Sequence, residues 1–136
     1  MSAAMTNPMH RSMRVLLADD DSDVRAALRE FLANEGFLIV EADSGTTALE
    51  ILLRQRMSFS IMDVDMPGMT GIEVLRVVRK EHSGLPCIFI TGDDSRHRQA
   101  EALEVGAFSM LSKPVVLDLL RLSMHRLLEQ HYGKYL

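Results

Sequence analysis

A single cysteine in 136 residues excludes an intramolecular disulfide. Cys87 lies inside the apolar run Leu85–Ile90 and reads as a small core residue, not a reactive thiol. No run of apolar residues is long enough to span a membrane. The first twelve residues, MSAAMTNPMHRS, lack the apolar centre of a secretory signal, so the cytoplasm is the expected setting. Excess positive charge is missing too: 15 Lys and Arg against 19 Asp and Glu give a net charge of −4, which argues against nucleic acid as a direct partner. No glycine-rich phosphate loop follows any apolar run, which disfavours nucleotide binding, and no internal repeat or low-complexity tract is present.

What is present fits one globular domain: 47% hydrophobic and 25% charged residues over a length that can bury a single core. Residues 1–12 read as a disordered leader, 13–132 as the domain and 133–136 as a C-terminal tail. Within the domain, short apolar runs alternate with helix-period segments. Strands are expected at Val15–Ala18, Phe37–Ala42, Phe59–Asp63, Pro86–Thr91 and Ala107–Ser112. Several are apolar almost throughout, as in strands buried on both faces of a parallel sheet.

The first helix carries Val24, Ala27, Leu28, Phe31 and Leu32 on one stripe and stops at Gly36. A second is expected over Gly45–Arg56 with Ser44 as its N-cap. Thr70 and Glu73 form a capping box for the third. The fourth spans about Ser95–Val105 before Gly106, and the fifth follows Pro114 to about Gln130. Five βα units with short connections predict a (βα)₅ doubly wound α/β fold with a parallel five-stranded sheet. Ligands bind such folds at the carboxyl ends of the strands.

Polar residues gather at those ends. Asp19, Asp20 and Asp21 follow the first strand, Asp63 closes the third with Asp65 two residues on, Thr91 closes the fourth and Lys113 the fifth. Asp21, Ser22 and Asp23 suit the N-terminus of the first helix. Capping does not account for Asp63, because Pro67-Gly68 forces a turn and delays the next helix to Thr70. If strands one and three are neighbours, Asp19, Asp20 and Asp63 share one cleft. Three carboxylates that close need a cation, and a hard divalent ion such as Mg²⁺ suits oxygen ligands. Two strand spacings would put the end of strand five about 10 Å from Asp63, and a lysine reaches roughly 6 Å of that.

Four segments, Val15-Leu16-Leu17-Ala18-Asp19-Asp20-Asp21, Met62-Asp63-Val64-Asp65-Met66-Pro67-Gly68-Met69-Thr70-Gly71, Ile90-Thr91-Gly92 and Ser112-Lys113-Pro114, together resemble the receiver domain of two-component response regulators. The resemblance covers about residues 14–131. It implies a flavodoxin-like strand order of 2-1-3-4-5. It implies Asp63 as phosphoacceptor, taking a phosphoryl group from a sensor histidine kinase or phosphotransfer protein, and not an enzyme acting on a separate substrate. Asp19, Asp20, Asp63 and the backbone carbonyl of Asp65 would hold Mg²⁺. Thr91 and Lys113 would bind the phosphoryl oxygens, and Pro114 would be cis. Asp65 and Asp93 flank the cleft and are expected to tune water access and dephosphorylation. Gly92 leaves room beside Thr91.

Two positions depart from the family's pattern. Met110 stands where an aromatic switch residue is usual, and Val115 where phenylalanine is common. The chemistry is therefore expected intact and the relay altered. The chain ends shortly after the fifth helix and reads as either a stand-alone regulator or a receiver cut from a longer protein; output to a downstream protein effector is expected through a surface around helices four and five. Val116, Leu117, Leu119, Leu120, Met124, Leu127 and Leu128 cover half of helix five, which is either a thoroughly buried helix or a face for a partner or a homodimer. Two other readings stand beside this one. One is a phosphorylation-independent interaction scaffold, suggested by Met110. The other takes Asp63-Val64-Asp65 as the DxD of haloacid-dehalogenase-type aspartyl-phosphate phosphatases, which place it after their first strand.

Overall fold

The computed structural model describes residues 8–81 and 84–133. Five strands, β1 (Arg14–Ala18), β2 (Leu38–Ala42), β3 (Phe59–Asp63), β4 (Cys87–Thr91) and β5 (Ser109–Ser112), alternate with five helices, α1 (Ser22–Asn34), α2 (Gly45–Arg54), α3 (Gly71–Glu81), α4 (Arg96–Glu104) and α5 (Leu117–Tyr132). The sheet is parallel throughout, in the order β2-β1-β3-β4-β5. The doubly wound, flavodoxin-like architecture is thus present, with β1 beside β3. Among the described residues no helix is long and apolar enough to cross a membrane.

Strand residues alternate between two cores. On β1, Leu16 and Ala18 pack with α2, α3 and α4, whereas Val15 and Leu17 pack with α1 and α5. On β4, Cys87 and Phe89 join the first core, and Ile88 and Ile90 the second. Helices on both faces leave the three central strands no polar side, hence their continuous apolar spelling. Cys87 is fully buried, and burial pushes its thiol pKa up to about 12, as expected for an inert core residue.

Local signals place the helix ends. Asp21 caps α1 by accepting from the Asp23 and Val24 amides, and Ser44 caps α2 by accepting from Thr47. The Thr70 amide donates to Glu73 Oε1 at 2.9 Å while the Glu73 amide donates to Thr70 Oγ1 at 3.1 Å. After α1, Gly36 (φ 97°) donates to Ala33 O and Phe37 to Leu32 O, a Schellman motif that recurs at Gly106 (φ 82°) after α4. That second motif shortens β5. The Ala107 amide closes onto Ala102 O, so the strand begins at Ser109 and not at Ala107. Likewise α2 ends at Arg54, two residues early, because Gln55 turns extended (φ −126°) and sends Met57 into the core.

Of the expected leader, residues 1–7 lie outside the described residues, and Pro8–Ser12 form a 3₁₀ turn. His10 stacks on Phe37 with ring centroids 4.2 Å apart, and its Nδ1 lies 2.7 Å from Glu35 O. Aromatic stacking and one hydrogen bond anchor a stretch whose composition alone reads as loose. In the tail, Gly133 is described and residues 134–136 are not.

Helix α5 resolves into two faces. Leu120, Met124, Leu127 and Leu128 are buried, whereas Val116, Leu117, Leu119 and Leu122 are exposed, as is Leu103 on α4. The broad apolar stripe is therefore not one core face.

Gly45 sets how closely α2 approaches the loop after β3. A Cβ there would run into the Met69 carbonyl oxygen. Gly45→Ala is expected to destabilise the fold by about 1–3 kcal/mol, the usual cost of overpacking. Urea unfolding measures this, and a loss below about 0.5 kcal/mol would show that the loop simply yields.

Candidate functional site

The carboxyl ends of β1, β3, β4 and β5 meet at one edge of the sheet. Register pairs Ala18 with Met62, Asp63 with Ile90 and Thr91 with Ser112, so Asp19, Asp63, Thr91 and Lys113 all stand at that edge. Oxygens of Asp19, Asp20 and Asp63 lie within 4.8 Å of one another. Asp19 and Asp63 are buried, and Asp20 is exposed at the mouth. Helix α3 starts directly over the site: a Cβ on Gly71 would fall 2.6 Å from the Asp63 carbonyl oxygen. Its amide donates to Val64 O at 2.8 Å, which fixes the turn that carries Asp63.

Lys113 closes the gap estimated from strand spacing. Its Nζ lies 3.1 Å from Asp63 Oδ2 and 3.1 Å from Asp19 Oδ2. The contact to Asp63 is a hydrogen bond. Asp19 Oδ2, fully buried, is approached by the ammonium yet accepts no well-aligned hydrogen bond. Asp19 Oδ1 accepts from the Asp21 amide, and Asp63 Oδ1 from the Asp65 amide at 3.2 Å. The Lys113–Pro114 bond is cis. Three clustered carboxylates face one ammonium, and one buried carboxylate oxygen lacks a full partner. That donor set, all hard oxygen, fits a divalent cation such as Mg²⁺.

Thr91 is fully buried. Its hydroxyl donates to Asp93 O at 2.8 Å and accepts from the Asp93 amide at 2.9 Å. A Cβ on Gly92 would meet nothing within 4 Å, so the neighbouring space is open. Met110, half-buried on β5, packs against the core shared with α4. Val115 packs against the opposite core.

Two arginines at the site escape sequence reading. Arg25 of α1, which reads as a solvent-facing residue, donates to Asp19 O at 2.6 Å and pairs with Glu41 at 3.1 Å. Arg98, in the first turn of α4, donates to Asp65 Oδ1 at 2.7 Å and to Glu101 Oε1 at 3.2 Å. Its Nε lies 3.9 Å from Asp93 Oδ2. No local signal separates these arginines from any other on a helix surface, because Asp19, Glu41, Asp65 and Asp93, the partners that bring them to the site, lie on other strands and loops.

The sequence model of the response regulator receiver domain matches residues 15–125. This chain belongs to that family. The chemotaxis protein CheY of Pseudomonas aeruginosa is 35% identical over 124 residues, covering 89% of this chain and all of that protein. The response regulator MprA of Mycobacterium leprae is 36% identical over 118 residues, covering 87% of this chain and 52% of that protein. The chain thus spans about half the length of the MprA relatives it matches. Among solved structures, chemotaxis protein CheY4 of Vibrio cholerae superposes with a TM-score of 0.78 at 30% identity, covering 84% of this chain and 97% of that one. A CheY-like receiver from Methanospirillum hungatei reaches 0.84 at 24% identity over 90% of this chain and 98% of that one, and supports the fold. Receiver domains are phosphoacceptor signalling domains that bind Mg²⁺ at an acidic pocket and act with histidine kinases and downstream effectors. The DxD phosphatase reading is disfavoured by topology, since Asp63 closes the third strand and Asp65 follows it, not the first.

Electrostatics give this receiver site a measurable signature. Burial, reinforced by the Asp19 charge, raises the Asp63 pKa from 3.8 to about 6 against the pull of Lys113. Burial also works against a charged Lys113, but hydrogen bonds and charges from Asp63 and Asp19 outweigh it and raise the pKa. Asp63 binds its proton more tightly folded than unfolded. Its contribution to stability is therefore greatest below about pH 4 and is lost as pH rises through about 6. Metal-free wild type should lose stability relative to Asp63→Asn across that window, read as urea midpoints at about pH 4 and pH 6.5. A wild-type-minus-variant difference that stays flat would overturn this account of the site.

Proposed function

We propose that this chain is a phosphorylation-dependent switch whose phosphoacceptor is Asp63. The observation that carries the reading is the Asp63 carboxylate itself: buried, oriented by the Asp65 amide and Lys113, and ringed by acids that fit a divalent ion. Asp19, Asp20, Asp63 and the backbone carbonyl of Asp65 would hold Mg²⁺. Bound there, the ion supplies positive charge for the incoming phosphoryl oxygens.

In the transfer, an Asp63 oxygen attacks the phosphorus of a phosphohistidine on a kinase or phosphotransfer partner. The new P–O bond forms as the P–N bond breaks, and its electron pair returns to the imidazole. Lys113, already on Asp63, pairs with a phosphoryl oxygen as negative charge gathers. The phosphoryl group adds nearly two negative charges and three strong acceptors. Thr91 then has a better acceptor than the Asp93 carbonyl, and turning its hydroxyl inward loosens the loop that leads into α4. That is a population shift between two packings. Met110, in place of an aromatic residue, fills the vacated space with a flexible thioether, so the relay is less sharply two-state.

Output runs through the α4–β5–α5 side to a protein effector. Exposed Leu103 on α4, Val116 at the start of α5, and Leu119 and Leu122 within it support this, since large apolar side chains on the two helices that flank β5 suit a protein contact. The same surface would serve a homodimer.

Incubation with acetyl phosphate and Mg²⁺, followed by intact mass, tests the reading. One phosphoryl group should appear on wild type and none on Asp63→Asn or without metal. Lys113→Ala should slow its formation by about tenfold or more, the rate equivalent of one charge-assisted hydrogen bond. An unmodified wild type, with no beryllofluoride binding, would leave phosphorylation-independent scaffolding as the better account.

A further inference from the structure

We propose that Arg98 is a positioning residue that sets the lifetime of the phosphoryl group on Asp63, by holding the Asp65 carboxylate away from the water that hydrolyses it. The inference rests on Asp63 being the phosphoacceptor, and goes beyond it to the control of the reverse step. Arg98 joins two loops that border the site, the one after β3 and the one after β4. Its Nη2 donates to Asp65 Oδ1 at 2.7 Å, and its Nε stands 3.9 Å from Asp93 Oδ2. Glu101, one turn along α4, accepts from Nη1 at 3.2 Å and keeps the guanidinium pointed at the loops. The arginine side chain is only 22% exposed, so this is not a freely solvated surface pair. Asp65 is half-exposed and would be free to turn without it.

Asp65 has the reach to matter. Two residues of chain keep its Cα within about 7 Å of that of Asp63. Its amide already donates to Asp63 Oδ1 at 3.2 Å. In hydrolysis a water oxygen bonds to phosphorus, the P–O bond to Asp63 breaks, and the electron pair returns to the Asp63 carboxylate. One of the water's protons stays on the phosphate and the other passes to solvent. A free carboxylate beside that water accepts its hydrogen bond and aligns it for attack. Latched to Arg98, Asp65 presents its oxygen to α4 instead. The arginine also ties the lifetime to α4. Any partner that moves the first turn of α4 and withdraws Arg98 releases Asp65 and shortens the signal.

The experiment follows decay of the acetyl-phosphate-labelled full chain after excess donor is removed, in Arg98→Ala, Arg98→Lys, Asp65→Asn and the Asp65→Asn/Arg98→Ala double variant. Arg98→Ala should shorten the lifetime at least about threefold, and Arg98→Lys, which keeps the charge but not the fork, by less. In the Asp65→Asn background, adding Arg98→Ala should change the lifetime by less than about twofold, because the carboxylate it would release is gone. Metal-free amide exchange at residues 64–66 and 93–95 should quicken in Arg98→Ala if the latch joins the two loops. An unchanged or longer lifetime, or an equal shortening without the Asp65 carboxylate, or unaltered exchange, overturns the proposal. A wild type that never accepts the label sinks the phosphoacceptor reading itself, whereas labelling with an Arg98-independent lifetime sinks only the latch.

Discussion

The ammonium of Lys113 lies between two buried carboxylates, Asp63 and Asp19, at 3.1 Å from each, and the rest of the site is arranged around that contact. Without it, Asp19 and Asp63 would sit side by side in a place water barely reaches, and one would have to take up a proton. With it, the pair stays compensated but short of positive charge. Asp20 adds a third acid at the mouth, and a buried oxygen of Asp19 lacks a full partner. The protein thereby stores a standing demand for cationic charge at the edge of the sheet where Asp63 stands. A buried site left in that state weakens the fold slightly and favours the ligands that relieve it.

The backbone geometry around this contact leaves little freedom. Gly71 lets α3 begin against the Asp63 carbonyl, and Gly45 lets α2 close on the following loop. The backbone that carries Asp63 is thereby fixed, whereas the side chains of Thr91 and Asp65 are engaged in contacts that can let go. Thr91 is engaged with the Asp93 loop, and Asp65 with Arg98. A fixed carboxylate with releasable neighbours suits the proposed two-state switch, because a signal needs one element that stays fixed and another whose partner can change.

Much of this was legible in the sequence, for reasons that are local. Parallel central strands need apolar side chains on both faces, so β1, β3 and β4 are spelled as near-continuous apolar runs. Helix ends need caps within three residues, so Ser44, Asp21 and the Thr70–Glu73 pair announce themselves. Acids, Thr91 and Lys113 at strand ends could be collected because a doubly wound sheet delivers strand ends to one edge. The 3₁₀ turn at Pro8–Ser12 has no local signal because its anchor, the stacking of His10 on Phe37, joins positions far apart in the chain. The ends of α2 and β5 shifted because Met57 and the Gly106 motif answer to packing rather than to the apolar pattern alone.

Sequence by itself determined the fold class, the family resemblance and the identity of the residues at the edge of the sheet, since each rests on periodicity, capping or motif spacing along the chain. Only the tertiary structure decided that Asp19 is buried while Asp20 is open, and that Lys113 bridges two acids instead of one. It alone divided the leucines of α5 into a core face and an exposed one, and turned Arg98 from a helix-surface charge into the tie between two loops. Burial and ion pairing depend on which distant segments arrive at the same point and from which direction. Spacing along the chain carries no information about that direction until the strands are paired and the helices are packed across them.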